Sequence, residues 1–277
     1  MGQQFEGKVA FITGAARGQG RSHAVRFAEE GADIIALDLC AQIDSVAYPM
    51  PTREDLDETV NLVEKTGRRI VAEQGDVRDF ARLQAVVANG VAELGRLDFV
   101  LANAGILPVI GDSSHTLPAF VDAVDVMLKG VYFTIEAALP ALAETGDGGA
   151  IVITSSTAGL TSLHVNSSLQ SHGLAGYMGA KHGVVGLMRF YACALAEKNI
   201  RVNTVHPTGL ASPMLVNEPV GRFFAENPTA TESMKNLLDV ELMEEEDITA
   251  AMVYLCGRSG RYITGTTLTV DAGYTVK

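Results

Sequence analysis

The sequence predicts an α/β domain built on a doubly wound parallel sheet with helices on both faces. Short apolar runs of strand length alternate with helix-length periodic stretches along the 277 residues. The residues able to carry chemistry fall just after those apolar runs, where open parallel sheets bind ligands. No linker divides the chain, so residues 1–277 are read as one domain.

Val9-Ala10-Phe11-Ile12-Thr13 is apolar on both faces, as a buried strand must be, and it runs into glycines. A helix over 22–30 stops at Gly31, and a strand over 33–37 ends at Asp38. Further strands are predicted over 69–74, 97–102, 150–154, 201–206 and 267–270. Helices are predicted over 81–94, 117–144, 176–197 and 247–256. Two excursions break this rhythm. Residues 39–57 hold Pro49, Met50 and Pro51, and residues 207–246 carry a helical piece over 231–242. Long excursions at the ligand edge usually serve as binding loops or lids.

Hydrophobic residues make up 47% of the chain and charged residues 19%, enough apolar material for a large core. The formal net charge of −12 argues against nucleic acid as the main partner. Cys40, Cys193 and Cys256 are far apart and form neither a C-x-x-C pair nor a metal-type cluster, which predicts reduced thiols in the cytoplasm. The histidines add no metal-ligand set. The polar N-terminus runs straight into a strand, so no signal peptide is expected. No apolar run is read as approaching the roughly 20 residues that span a bilayer, so no membrane partner is expected.

After the first strand comes Gly14-Ala15-Ala16-Arg17-Gly18-Gln19-Gly20 and then a helix. Glycines allow a tight turn and close approach to a pyrophosphate, and the helix N-terminus offers free N–H groups. The spacing is G-x-x-x-G-x-G rather than G-x-G-x-x-G. Asp38 ends the second strand, where a carboxylate accepts from a ribose 2′-hydroxyl and repels a 2′-phosphate. At about 4 Å and an effective dielectric of 20, such a charge pair is worth roughly 4 kcal/mol. That favours NAD over NADP, although Arg17 in the glycine turn is able to hold a 2′-phosphate. Together these features describe a Rossmann-type domain.

Tyr177 and Lys181 are four residues apart, which on a helix places a phenol and an ammonium on one face. A nearby cation favours the phenolate, so such a tyrosine is suited to exchange a proton with a substrate oxygen.

In this order the motifs resemble the short-chain dehydrogenase/reductase family over roughly residues 7–274. Thr13 through Gly20 matches its TGxxxGxG cofactor motif. Asp76, with Val77 beside it, resembles the aspartate that meets the adenine ring. Asn103-Ala104-Gly105 matches NAG, which stabilises the sheet and lines the cofactor. Ser156, following Thr154 and Ser155, resembles the catalytic serine, and Tyr177 with Lys181 matches YxxxK. The resemblance implies that Tyr177 is the acid/base, that Ser156 orients the substrate oxygen, and that Lys181 lowers the tyrosine pKa and holds the nicotinamide ribose. It also places Leu39, Pro207, Thr208, Gly209, Ser212 and Met214 against the cofactor. Ser155 is the rival to Ser156, which stands two residues before Ala158-Gly159.

Three departures from the family pattern stand out. Met127 occupies the place of the asparagine usual in N-x-x-G, and a thioether is a poor hydrogen-bond partner, leaving only the Met127 carbonyl for the proton relay. Pro207-Thr208-Gly209 replaces Pro-Gly, and Ser212 replaces a threonine. An extra segment over 160–174 holds His164 and His172, read either as a loop over the substrate or as a solvated insertion. His23, His182 and His206 are read as buried spacers beside cofactor motifs.

The insert after Asp38, together with Arg21-Ser22-His23-Ala24 and the run 181–189, resembles the mycofactocin-associated actinobacterial branch, often called carveol dehydrogenases. That resemblance implies oxidation of secondary alcohols, cyclic terpenoids among them, by a tightly held NAD that a redox peptide cofactor reoxidises in place. It implies a homotetramer built on the helices over 117–144 and 176–197 and the last strand. Leu107, Pro108, Met214, Leu215, Phe223 and Phe224 are read as an apolar substrate pocket. Two other readings stay open: an NADP-dependent carbonyl reductase, resting on Arg17, and a non-catalytic dinucleotide sensor, resting on Met127.

Overall fold

The computed structural model describes residues 3–162 and 170–277. Among them seven strands form one parallel sheet in the order β3-β2-β1-β4-β5-β6-β7. The strands are β1 Val9–Thr13, β2 Asp33–Asp38, β3 Ile70–Gln74, β4 Phe99–Ala102, β5 Gly149–Thr154, β6 Ile200–Pro207 and β7 Thr267–Val270. The helices between them are α1 Gly18–Glu29, α2 Arg53–Lys65, α3 Phe80–Leu94, α4 Leu117–Val124, α5 Gly130–Glu144, α6 His172–Ala194, α7 Glu218–Glu226, α8 Pro228–Ser233 and α9 Glu245–Cys256.

The two-residue alternation of a strand gives the sheet two apolar faces. Phe11, Val100, Ile151 and Val202 are aligned by register on one face, where Leu83 of α3, Ile135 of α5 and Val184 of α6 cover them. Ile12, Leu101 and Val152 face the other way, beneath Phe27 of α1, Leu56 of α2 and Met252 of α9. Burial on both faces explains why these strands read as continuous apolar runs.

Several predicted boundaries shift. α1 starts at Gly18 rather than residue 22, and α6 at His172 rather than 176, capped by the Ser171 hydroxyl accepting from the Leu174 N–H at 3.1 Å. α2 starts at Arg53, closing the first excursion at residue 52. A capping box sets this start: Thr52 accepts from the Asp55 N–H, and the Asp55 carboxylate accepts from the Thr52 N–H. In the second excursion the helices are α7 and α8, not 231–242.

The expected helix over 117–144 is three pieces, with a π-helical turn, Asp125–Lys129, between α4 and α5. Contrary to the sequence expectation, Leu117–Glu144 is long and apolar enough to cross a membrane by length and composition alone. Half of its most apolar stretch is buried inside the domain, where α4 packs on α6 and α5 on α3.

Candidate active site

Strand order reverses between β1 and β4, and the connections leaving their carboxyl ends open a crevice there. Asn103 closes its floor. Its side-chain amide donates to the Thr13 carbonyl at 3.1 Å, and its carbonyl accepts from the Thr154 hydroxyl at 3.1 Å, so one side chain joins the ends of β1, β4 and β5. The Asn103 and Ala104 N–H groups both donate to the Thr13 hydroxyl at 3.2 Å.

The glycine turn is tighter than a ligand contact alone would require. A Cβ on Gly20 would lie 1.9 Å from the Gly14 carbonyl oxygen, and one on Gly14 would lie 2.8 Å from the Ala104 Cα. The first glycine therefore packs β1 against β4, and the last lets the helix fold back onto its own turn.

At the β2 end Asp38 is buried, with one carboxylate oxygen accepting from the Ala16 N–H at 3.0 Å and the other from the Cys40 N–H at 3.1 Å. Burial pushes its acid up, while these two N–H groups and Arg17 pull it back. Arg17 is engaged elsewhere: its guanidinium donates to the Pro49 carbonyl, tying the glycine turn to the insert. The insert is braced from within by Gln42, whose amide donates to the Val46 carbonyl at 2.8 Å and whose oxygen accepts from the Met50 N–H at 3.1 Å. Tyr48 is buried, and its hydroxyl accepts from the Leu107 N–H at 3.1 Å, so the insert reaches across to the loop after β4. Asp76 pairs with Arg78 at 2.7 Å, and Arg78 reaches Asp122 at 3.0 Å. Burial alone would raise the Asp76 acid; the Arg78 guanidinium and N–H outweigh it and hold the carboxyl below its ordinary value.

At the β5 end the two serines separate. The Ser155 hydroxyl is buried and donates to the Lys181 carbonyl at 2.9 Å, which spends it on anchoring α6. Ser156 is extended, and its hydroxyl accepts from the Ala158 N–H at 3.1 Å, leaving its own proton to donate elsewhere. Lys181 is buried, and its ammonium donates to the Thr154 carbonyl at 2.8 Å; the nitrogen lies 5.8 Å from the centre of the Tyr177 ring. Burial pushes Lys181 down to about 8. It pushes Tyr177 up, and the Ser156 hydroxyl is what pulls the phenol back. The expected lowering of the phenol by Lys181 is not found: burial raises it, and Ser156 is the group that opposes the rise. Met127 is buried in the π-helical turn, and its sulfur packs toward Gly105.

These residues line two adjoining cavities. Gly14, Gly18, Asp38, Leu39, Asp76 and Val77 line one, together with Arg17, Gly20, Ala104 and the insert residues Tyr48, Met50 and Pro51. Ser156, Tyr177, Lys181, Met127, Thr154 and Pro207 line the other, together with Thr208 and Gly209. Gln19, Asn103, Gly105, Ile106, Ser212 and Met214 line both, so the cleft is continuous. The second cavity is walled by Leu107, Leu215, Phe223 and Phe224, as expected, and by Val109, Ile110, Leu174 and Val220, which the sequence did not single out. Pro108 lies outside it, its carbonyl turned against Gly173 of α6. Lys181 is the one charged side chain on its wall among the described residues. His172 is exposed and lines neither cavity, and His164 lies outside the described residues. His23 and His206 are buried, whereas His182 is exposed.

An elongated dinucleotide suits this cleft. The glycine turn presents its N–H groups mid-way, Asp38 stands at one end, and the Gln19 side-chain oxygen is buried without a partner where the cavities meet. Comparison with known proteins agrees. The family model described as enoyl-(acyl carrier protein) reductase matches residues 14–275. The chain belongs to the short-chain dehydrogenase/reductase family. It is similar to the (−)-trans-carveol dehydrogenase of Rhodococcus erythropolis, 44% identical over 98% of this chain and 99% of that one. It is 51% identical to an uncharacterized oxidoreductase of Mycobacterium tuberculosis, over 98% and 97% of the two chains. Among solved structures it resembles a carveol dehydrogenase from Mycobacterium avium in complex with NAD, with TM-score 0.87 and 43% identity over 99% of each chain. A short chain dehydrogenase from Mycobacterium paratuberculosis bound to NAD gives TM-score 0.90 and 41% identity over 99% and 100%.

Proposed function

We propose that this chain is an NAD-dependent dehydrogenase that interconverts an apolar secondary alcohol, cyclic terpenoids such as carveol among them, with its ketone. The observation that carries this reading is the convergence of Ser156, Tyr177 and Lys181 on the wall of an apolar cavity continuous with a dinucleotide-shaped cleft. The nicotinamide, when bound, supplies the chemistry of accepting or returning a hydride at the carbinol carbon. Ser156 donates to the substrate oxygen and fixes its direction. Tyr177 takes the hydroxyl proton during oxidation and returns it during reduction. Lys181 supports the phenolate and holds the ribose. The apolar walls favour an uncharged substrate and exclude water from the proton transfer.

The NADP reading loses its main support, because the Arg17 guanidinium is engaged by Pro49 and Asp38 stands where a 2′-phosphate would lie. The cover formed by Tyr48, Met50 and Pro51 supports a cofactor that is slow to leave, and with it reoxidation in place by a redox peptide. Leu117 and Val121 on α4 and Phe190 on α6 are more than half exposed, which supports assembly of four copies through these helices.

The test is carveol-dependent reduction of NAD. Wild-type protein turns over, and Tyr177→Phe loses at least the roughly 10²–10⁴-fold that an acid/base contributes while still binding NAD. Undiminished activity in Tyr177→Phe sinks the assignment. Protein that is purified gently and then denatured should release NAD.

A further inference from the structure

We propose that His206 is a positioning residue, which sets the direction of the Ser156 hydroxyl by gripping the Ser156 main-chain carbonyl. This deepens the reading above and rests on Ser156 as the group that orients the substrate oxygen.

The need for such a grip follows from the strands. β5 and β6 pair through Thr154 and Val205, and the Ser155 N–H still donates to the Val205 carbonyl at 2.9 Å. Pro207 comes next on β6, and it has no N–H to carry the ladder further. Ser156 therefore sits one residue beyond the last ladder bond between these strands, and its carbonyl accepts the Gly159 N–H of its own turn at 2.9 Å. The His206 side chain supplies a second donor to that carbonyl, from β6: Nδ1 lies 2.8 Å from the Ser156 carbonyl oxygen.

The hydrogen-bond partners settle the tautomer. A carbonyl only accepts, so Nδ1 carries the proton and donates. Nε2 is then the acceptor, and it receives the Thr204 hydroxyl at 2.7 Å. Both ring nitrogens are satisfied by one neutral form, and the residue is fully buried. Burial pushes His206 down to about 4, so that form persists across the working pH range.

Three tethers now hold three successive residues at the end of β5. Lys181 grips the Thr154 carbonyl, the Ser155 hydroxyl grips the Lys181 carbonyl, and His206 grips the Ser156 carbonyl. The Ser156 hydroxyl also accepts from Ala158, so fixing its peptide plane leaves one direction for its proton. His206 touches neither cavity and acts only through Ser156.

The experiment compares His206→Asn with His206→Gln, each alone and combined with Ser156→Ala, in carveol oxidation by the full chain. Asparagine carries an N–H at the Nδ1 position and keeps kcat within about threefold, whereas glutamine displaces it and lowers kcat by about 10–100-fold, as a misplaced reacting group does. The KM for NAD stays unchanged in both. In the Ser156→Ala background the glutamine loss disappears, because the hydroxyl it positioned is gone. A glutamine loss of equal size in both backgrounds overturns the proposal, as does full activity in His206→Gln. A readout free of variants is nitrogen-15 histidine NMR of the wild type. It should show His206 protonated at Nδ1 and bare at Nε2 from pH 5 to 9; the opposite tautomer overturns the proposal. A wild type inert toward every secondary alcohol would defeat the reaction assigned above, while the NMR result would still stand.

Discussion

Lys181 donates its ammonium to the main-chain carbonyl of Thr154 at 2.8 Å, so the end of β5 holds a cation whose nitrogen lies 5.8 Å from the centre of the Tyr177 ring. The sequence places Lys181 and Tyr177 on one helix face, and the structure adds that the cation is held by a neutral carbonyl in a buried site. A carbonyl does not compensate a charge as a carboxylate would, and burial pushes Lys181 down to about 8. The site thus holds a cation at a cost in stability.

That cost is measurable. The unfolded chain keeps a lysine protonated up to its ordinary value, whereas the folded chain releases the proton near 8. Between these two values the unfolded state binds more protons, so this group makes stability rise with pH. Below about 8 both states are charged and the full cost is present, on the order of 3 kcal/mol. Lys181→Met removes it. The variant should be more stable than wild type at pH 7, and its advantage should shrink steadily between about pH 8 and the ordinary lysine value. Denaturant melts of both proteins across that range check this, and an advantage constant with pH contradicts it.

Rates should follow pH in the complementary way. Burial holds Tyr177 in its neutral form at pH 7, ready to donate to a ketone but not to accept from an alcohol. Oxidation should therefore speed up as pH rises, by up to about tenfold in kcat/KM per unit below the controlling value. Reduction should weaken over the same interval. Because Tyr177 and Lys181 share the site, the midpoint belongs to the pair. Initial rates in both directions from pH 6 to 10 check this.

Cofactor exit should be governed by the insert. Arg17 ties the glycine turn to Pro49, and Gln42 braces the loop that carries Tyr48 and Met50. Arg17→Ala and Gln42→Ala each remove hydrogen bonds of roughly 0.5–1.5 kcal/mol, which translates to about 2–10-fold faster release of NAD. Arg17→Ala should leave the preference for NAD over NADP in place, since Asp38 carries it. Stopped-flow NADH fluorescence measures the release, and a collapse of the preference in Arg17→Ala would restore the NADP reading.

The sheet was legible because buried strands of a doubly covered sheet announce themselves as apolar runs, and its switch point gathers the motifs at one edge. Each cofactor-binding and catalytic residue picked from the sequence lies on the wall of one of the two cavities, whereas Pro108 and His172 do not. What stayed hidden depended on tertiary partners. α2 buries only Leu56, Thr59 and Val63, a sparse stripe, although the Thr52–Asp55 capping box was there to be read. Residues 234–238 carry Met234, Leu237 and Leu238 at helical spacing, yet the N–H groups of Leu237 and Leu238 donate to the Ala272 carbonyl instead. The true helix start was signalled by Asn217, whose side chain accepts from the Val220 N–H at 3.0 Å, and by Pro219 in the first turn. The role of His206 was invisible because it depends on a carbonyl 50 residues away.

Two glycines of different helices should answer oppositely to the same substitution. In Gly20→Ala the new methyl would lie 1.9 Å from the Gly14 carbonyl oxygen, a main-chain atom that cannot rotate away. Relief requires α1 to lift from the turn after β1, which spoils the N–H cradle and packing against β2 together. The cost should reach or exceed the roughly 1–3 kcal/mol typical of overpacking, with NAD binding lost. Gly179 lies in α6 between Tyr177 and Lys181, exposed, with nothing within 4 Å of a Cβ placed there. Gly179→Ala should stabilise by about 0.5–1 kcal/mol, since alanine gives up less backbone freedom in a helix, and should leave kcat intact. Thermal melts with and without NAD separate the two. A destabilised Gly179→Ala contradicts this expectation.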